Sequence, residues 1–158
     1  MFSELFDTYA RRCYGYLYRL TGDKDVSDDL LSELFVKLAE KIGTYKGGSF
    51  EGWLFRIASN IFHDYLRGKH RQKKLLDVRK KQLGSELAGP KRRESELVDR
   101  LQVAIGRLDA ETRELIMLRF YSQMSFKDMA QMRSEPIGTT LSRLHRGLKK
   151  LRMLIEEG

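Results

Sequence analysis

Apolar residues recur every three or four positions along almost the whole chain, and no stretch keeps the strict alternation of a strand. The pattern predicts an all-α protein. Phe2, Leu5, Phe6, Tyr9, Cys13, Leu17 and Leu20 fall on one face of a first helix, which should stop near Thr21-Gly22-Asp23. Val26, Leu30, Leu34, Leu38 and Ile42, widened by Leu31 and Phe35, form the stripe of a second helix, and Asp25 or Ser27 can cap its start. A loop over residues 43–48 ends it. Ser49 is a candidate cap for a third helix whose buried face carries Trp53, Leu54, Ile57, Ala58, Ile61 and Leu66. Three such helices make one compact unit over residues 1–70.

From about Gly68 to Arg93 the periodicity fades, and Gly84, Ser85, Gly89 and Pro90 stand among basic residues. Residues 71–94 therefore read as a basic linker, flexible or partly helical. A second helical domain follows over 95–158. Leu97, Leu101, Ala104, Ile105 and Leu108 make a fourth helix, and Asp109 can cap a fifth containing Leu115, Ile116, Leu118 and Phe120. Ser125, with Asp128 three residues on, opens a short helix through Met129, Ala130 and Met132. Pro136 suits the first turn of the last helix, since it has no amide proton to leave unsatisfied.

That last helix carries Ile137, Leu141, Leu144, Leu148, Leu151 and Ile155 at spacings of 4, 3, 4, 3 and 4, which predicts one buried stripe. Its other face is basic: Arg143, Arg146, Lys149, Lys150 and Arg152, joined by Thr139, Thr140, Ser142 and His145. A short helix, a tight Arg133-Ser134-Glu135 turn and a long basic helix match a helix-turn-helix, whose second helix enters the DNA major groove. Early residues of that helix reach base edges, where a bidentate arginine adds about 1–3 kcal/mol of discrimination, and later cations hold phosphate. The same stripe also fits a coiled-coil seam, though three heptads at most make a marginal one.

Charge sharpens this picture. The net charge is +8, and its excess is local: residues 1–66 hold 8 basic and 10 acidic side chains, 67–93 hold 11 and 2, and 94–158 hold 11 and 10. Such a block repels itself unless a polyanion or solvent relieves it, so nucleic-acid contact and a solvated linker both remain open. No run of eighteen apolar residues is present, and Met1-Phe2-Ser3-Glu4 lacks a basic start and apolar stretch, so neither membrane insertion nor export is expected. Cys13, the single cysteine, reads as a buried thiol. His63, His70 and His145 stand singly, Asp28-Asp29 with Glu33 reads as surface charge, and no phosphate-binding glycine loop or nucleophile elbow occurs. Neither catalytic residues nor a metal or cofactor is expected.

Met124-Ser125-Phe126-Lys127-Asp128-Met129-Ala130, then Pro136-Ile137-Gly138-Thr139 and Ser142-Arg143-Leu144-His145-Arg146, resemble the fourth region of the sigma-seventy family, extracytoplasmic-function (ECF) group. Asp28-Asp29-Leu30, Glu33, Phe35, Phe50, Trp53-Leu54-Phe55-Arg56-Ile57-Ala58, Asn60, Asp64 and Arg67 resemble its second region. The resemblance implies a non-enzymatic, cytoplasmic sigma factor that directs promoter recognition, DNA melting and transcription initiation. It implies that Asp28, Asp29, Leu30, Glu33 and Phe35 bind core RNA polymerase. Tyr45, Lys46, Ser49, Phe55, Arg56, Ile57, Asn60, His63 and Arg67 would bind the minus-ten element, with a flipped base held near Tyr45, Phe55, Ile57 and Asn60. For Phe55 and Ile57 a core position is the open alternative.

Pro136, Thr139, Thr140, Ser142, Arg143, His145, Arg146 and Lys149 would bind the minus-thirty-five element of promoter DNA. An anti-sigma factor is a further implied partner. Two departures stand out: Arg133-Ser134-Glu135 replaces the apolar-glycine-apolar turn common in the family, and Leu141 stands where similar proteins usually carry a cation. The alternative function is a stand-alone helix-turn-helix regulator, which would typically bind a palindromic duplex site as a dimer.

Overall fold

Asp23, rather than Asp25 or Ser27, starts the second helix: its carboxylate accepts from the Asp25 amide at 2.9 Å and the Val26 amide at 3.1 Å. Ser27 is instead buried, its hydroxyl donating to the Asp23 carbonyl at 2.7 Å. The computed structural model describes residues 2–76 and 95–157, all helix and short connections, with no strand among the described residues. The helices are α1 Phe2–Thr21, α2 Lys24–Lys41, α3 Phe50–Leu76, α4 Ser95–Gly106, α5 Ala110–Ser122, α6 Phe126–Met132 and α7 Ile137–Glu157. A 3₁₀ turn, Ile42–Thr44, follows α2 and leaves Ile42 exposed, so the α2 stripe ends at Leu38. Ser49 accepts the Gly52 amide at 3.0 Å at the start of α3.

The third helix is longer than its apolar pattern suggests. It runs to Leu76, six residues into the segment read as a linker, and Leu66 is exposed. The rest of that segment, residues 77–94, lies outside the described residues. Asp109 caps α5 through the Thr112 amide at 3.1 Å, and Ser125 caps α6 through the Asp128 amide at 3.0 Å.

One hydrophobic core joins the two halves. α1 packs against α2 and α3 on one side and against α4 and α5 on the other. Tyr16, Leu17, Leu34, Leu54, Phe55 and Ile61 meet Ile105, Leu115, Leu118 and Met129 in a continuous buried cluster. Two glycines permit the closest helix approaches. A Cβ on Gly15 of α1 would lie 2.5 Å from Tyr121 Cε1, and one on Gly147 of α7 would lie 2.6 Å from Thr112 Cγ2 of α5. Cys13 is inside this core, where burial pushes its thiol up to about 12 against the opposing charge of Arg12, which makes it a poor nucleophile.

Several apolar residues expected inside are on the surface: Phe6, Leu97 and Phe120, with Ile137, Leu141 and Leu148 of α7 about half exposed. The face that α7 buries carries Thr140, Leu144, Gly147 and Leu151. It is turned from the apolar stripe because Gly147 sets the approach to α5 and Thr140 is tied to Glu135.

Candidate nucleic-acid interface

The turn before α7 shows how the helix-turn-helix closes without glycine. Ser134 takes the left-handed conformation, φ 54°, that glycine adopts without strain and that costs an L-residue about 1–2 kcal/mol. Glu135 braces it. Its amide donates to the Ala130 carbonyl at 3.1 Å, and its Oε1 accepts from Arg133 Nε at 2.9 Å and Thr140 Oγ1 at 2.8 Å. Burial raises the Glu135 carboxyl, but hydrogen bonds from Thr140 and Arg133 and the charges of Arg133 and Arg143 outweigh it and hold the group below its usual range. Thr140 is therefore not a DNA reader: it is fully buried and its hydroxyl is committed to the turn.

Replacing Thr140 by valine keeps the shape and removes one donor from a mostly buried carboxylate. The expected cost is about 1–3 kcal/mol. Urea unfolding should show that loss for Thr140→Val, and Thr140→Ser, which restores the hydroxyl donor to Glu135, should recover part of it.

Pro136, Ser142, His145, Arg146 and Lys149 are exposed along the solvent side of α7, with Thr139 half-buried beside them. Arg143 is less available. Its guanidinium lies 3.3 Å from Glu111 Oε2 of α5 and 3.9 Å from Glu135 Oε2.

In the first half, Asp28, Asp29 and Glu33 project from α2 into solvent, and half-buried Phe35 stacks on Phe6 with centroids 4.7 Å apart. Leu30 faces inward at 5% exposure and belongs to the core, so it is not a surface contact. The loop after α2 folds over an aromatic cluster. Tyr45 lies 5.2 Å from Trp53 and 5.7 Å from Phe50, and its hydroxyl donates to the Gly48 carbonyl at 2.8 Å. Phe50 continues edge-on to Tyr9 at 5.1 Å. Gly47 and Gly48, at φ 89° and 83°, permit that fold. Lys46 and Ser49 are exposed on it.

Phe55 and Ile57 are not part of that surface. They are 0% and 5% exposed, and Phe55 packs edge-on against Tyr16 at 5.4 Å. No base can stack on them while the core is intact. The outer side of α3 carries Arg56, Asn60, His63 and Arg67, the last paired with Asp64. Trp53, which the helical stripe assigns to packing, is with Phe50 an aromatic neighbour of Tyr45.

No motif or apolar period points to one further group. Glu114, which immediately precedes the apolar run Leu115-Ile116-Met117-Leu118 of α5, is 9% exposed, and its carboxylate faces the first half. Oε1 accepts from the hydroxyls of Ser59 and, at 3.4 Å, Tyr16, and Oε2 lies 2.7 Å from His63 Nε2. Arg56, Asn60 and His63 share a cleft of about 440 Å³ with Glu111, Glu114, Arg133 and Ser134. Only a long-range partner search could have found this hub, because the nearest partner in sequence is 51 residues away.

A helix-turn-helix with an exposed basic face, beside a helical unit with an aromatic loop, defines a helical DNA-binding protein of two halves. The chain matches Sigma-70 region 2 over residues 5–72 and Sigma-70 region 4 over 99–151. It is 32% identical to the ECF RNA polymerase sigma factor SigE of Mycolicibacterium smegmatis, over 94% of this chain and 59% of that protein. It is 31% identical to ECF sigma factor SigX of Bacillus subtilis, over 98% of this chain and 84% of the relative. RNA polymerase sigma factor CarQ of Myxococcus xanthus is 31% identical over 99% and 90%. Among solved structures, the sigma factor RpoE in complex with the anti-sigma factor NepR, from Bartonella quintana, superposes with a TM-score of 0.80 at 25% identity, covering 98% of this chain and 96% of that one. The chain belongs to the sigma-70 family of RNA polymerase sigma factors, in its ECF group.

Proposed function

We propose that the chain acts in the cytoplasm as a non-enzymatic initiation subunit: it joins core RNA polymerase, reads a promoter with both halves and is held in check by an anti-sigma factor. The observation that carries this reading is one chain bearing both an exposed basic recognition helix behind a braced turn and an aromatic loop beside a cationic α3 face. Residues 1–70, which α3 extends to Leu76, serve polymerase and the minus-ten element, and residues 95–158 serve the minus-thirty-five element. Asp28, Asp29, Glu33 and Phe35 are the polymerase contacts. Tyr45, Lys46 and Ser49, with Arg56, Asn60, His63 and Arg67, hold the minus-ten strand.

Ser142, His145, Arg146 and Lys149, with Pro136 and Thr139 at the helix start, meet the minus-thirty-five duplex. Melting needs no hydrolysis by this chain, because preferential binding of the single strand shifts the duplex equilibrium. No helix among the described residues is long and apolar enough to cross a membrane.

The test is transcription from a genomic promoter library with core polymerase alone, this chain alone, and both. Only the mixture should select and transcribe specific promoters. Specific duplex binding by this chain alone, with no change in polymerase start sites, would replace the reading with a stand-alone regulator.

A further inference from the structure

We infer that Leu141 is a specificity-determining residue of α7: it meets a base edge in the major groove and selects thymine there through the C5-methyl group. The inference rests on the proposed minus-thirty-five role of α7 and adds a residue to it. Base edges are reached from the first turns of a recognition helix. Leu141 is the fifth residue of α7, 41% exposed, and it is not among the apolar side chains packed on the core. Its neighbours Ile137, Gly138 and Ser142 are exposed too, and none carries a charge.

The nearby cations are engaged elsewhere or lie further along. Arg143 Nη1 is 3.3 Å from Glu111 Oε2 and 3.9 Å from Glu135 Oε2, and Arg133, in the turn, pairs with Glu135 Oε1 at 2.9 Å. Arg146 follows Leu141 by five residues, roughly 7.5 Å along the helix axis. Lys149 and Lys150 lie beyond it. Guanine is read most often by an arginine or lysine bonded to both O6 and N7, and the first two turns of α7 offer no free cation for that contact. Thymine alone among the four bases presents an apolar group in the major groove. A leucine placed against that methyl removes apolar surface from water, whereas against guanine or cytosine it strips water from a donor or acceptor and returns no bond. Ser142 can bond to any base, so it does not oppose this preference. Arg146 and Lys149, exposed on the following turns, supply the phosphate attraction that brings the uncharged start of the helix to DNA.

The test uses the full chain with core polymerase. Promoters selected from a random library define the minus-thirty-five element, and duplexes are then made in which each of its thymines in turn is replaced by uracil, which pairs identically and lacks only the methyl. Binding of the polymerase complex should fall about fourfold at one position, the worth of one buried methyl. Leu141→Ala should lose a similar factor on the thymine duplex and no longer distinguish thymine from uracil at that position. Thermal unfolding of the variant, expected within about 2 °C of the parent for an exposed side chain, separates lost readout from lost structure, and the uracil series on the parent chain needs no variant. An element without thymine, indifference of the parent complex to every uracil, or a Leu141→Ala complex that keeps the fourfold ratio, as it would if Leu141 served a protein contact, overturns the inference and leaves the sigma reading standing. A complex that selects no promoter overturns both.

Discussion

Phe55→Ala lowers the unfolding free energy by about 3–5 kcal/mol, the range for emptying a large aromatic from a packed core. The ring is fully buried, edge-on to Tyr16, with the Arg12 guanidinium 5.7 Å from its centroid, so no neighbour can close the void without moving α1. Urea unfolding measures the loss, with Asn60→Ala as the surface control expected within about 0.5 kcal/mol of the parent. The comparison decides between the two roles the sequence allows for Phe55. A base-stacking Phe55 would leave stability nearly unchanged and depress promoter opening alone.

Removing Arg146 and Lys149 together flattens the salt dependence of promoter binding by the polymerase complex. Each phosphate-bound cation contributes close to one unit to the slope of log affinity against log salt, so the double variant should lose about two. Both side chains are exposed on α7, Lys149 one turn beyond Arg146's neighbourhood on the same side, and neither is paired with a carboxylate among the described residues. Arg143→Ala should change the slope less, because that guanidinium is already shared between Glu111 and Glu135. Titration of a labelled minus-thirty-five duplex at several salt concentrations gives the slopes. An unaltered slope in the double variant removes α7 from the phosphate interface.

Helix existence and order were legible because most helices carry their own apolar period, and four of the seven described helices, α2, α3, α5 and α6, start at a side-chain cap. The N-cap at Asp109 and that at Ser125 stand at the expected residues. Before α2, three plausible caps fall within five residues, and only the backbone path separates Asp23 from Ser27. Faces were less legible than helices. On α7 the run of leucines and isoleucines is offset from the buried line, since Gly147 is buried by the approach of α5 and Thr140 by its bond to Glu135, neither of which registers as apolar. Leu30, Phe55 and Ile57 lie in family motifs, and membership of a motif does not distinguish a contact residue from the core beneath it. Glu114 was out of reach for another reason: Tyr16, Ser59 and His63 meet it only through tertiary folding.

Arg12 belongs to the first helix, yet it terminates the fifth. Its guanidinium satisfies carbonyls at the C-terminal end of α5, groups that a helix cannot satisfy internally, just before Gln123 leaves in the left-handed conformation. The two halves therefore share a helix end. The exchange is reciprocal: Gln102 Nε2 of α4 donates at 3.1 Å to the Arg19 carbonyl in the last turn of α1, so each half closes a helix end of the other. A substitution that removes either the Arg12 guanidinium or the Gln102 amide therefore loosens a helix end in the opposite half as well as the contact between the halves.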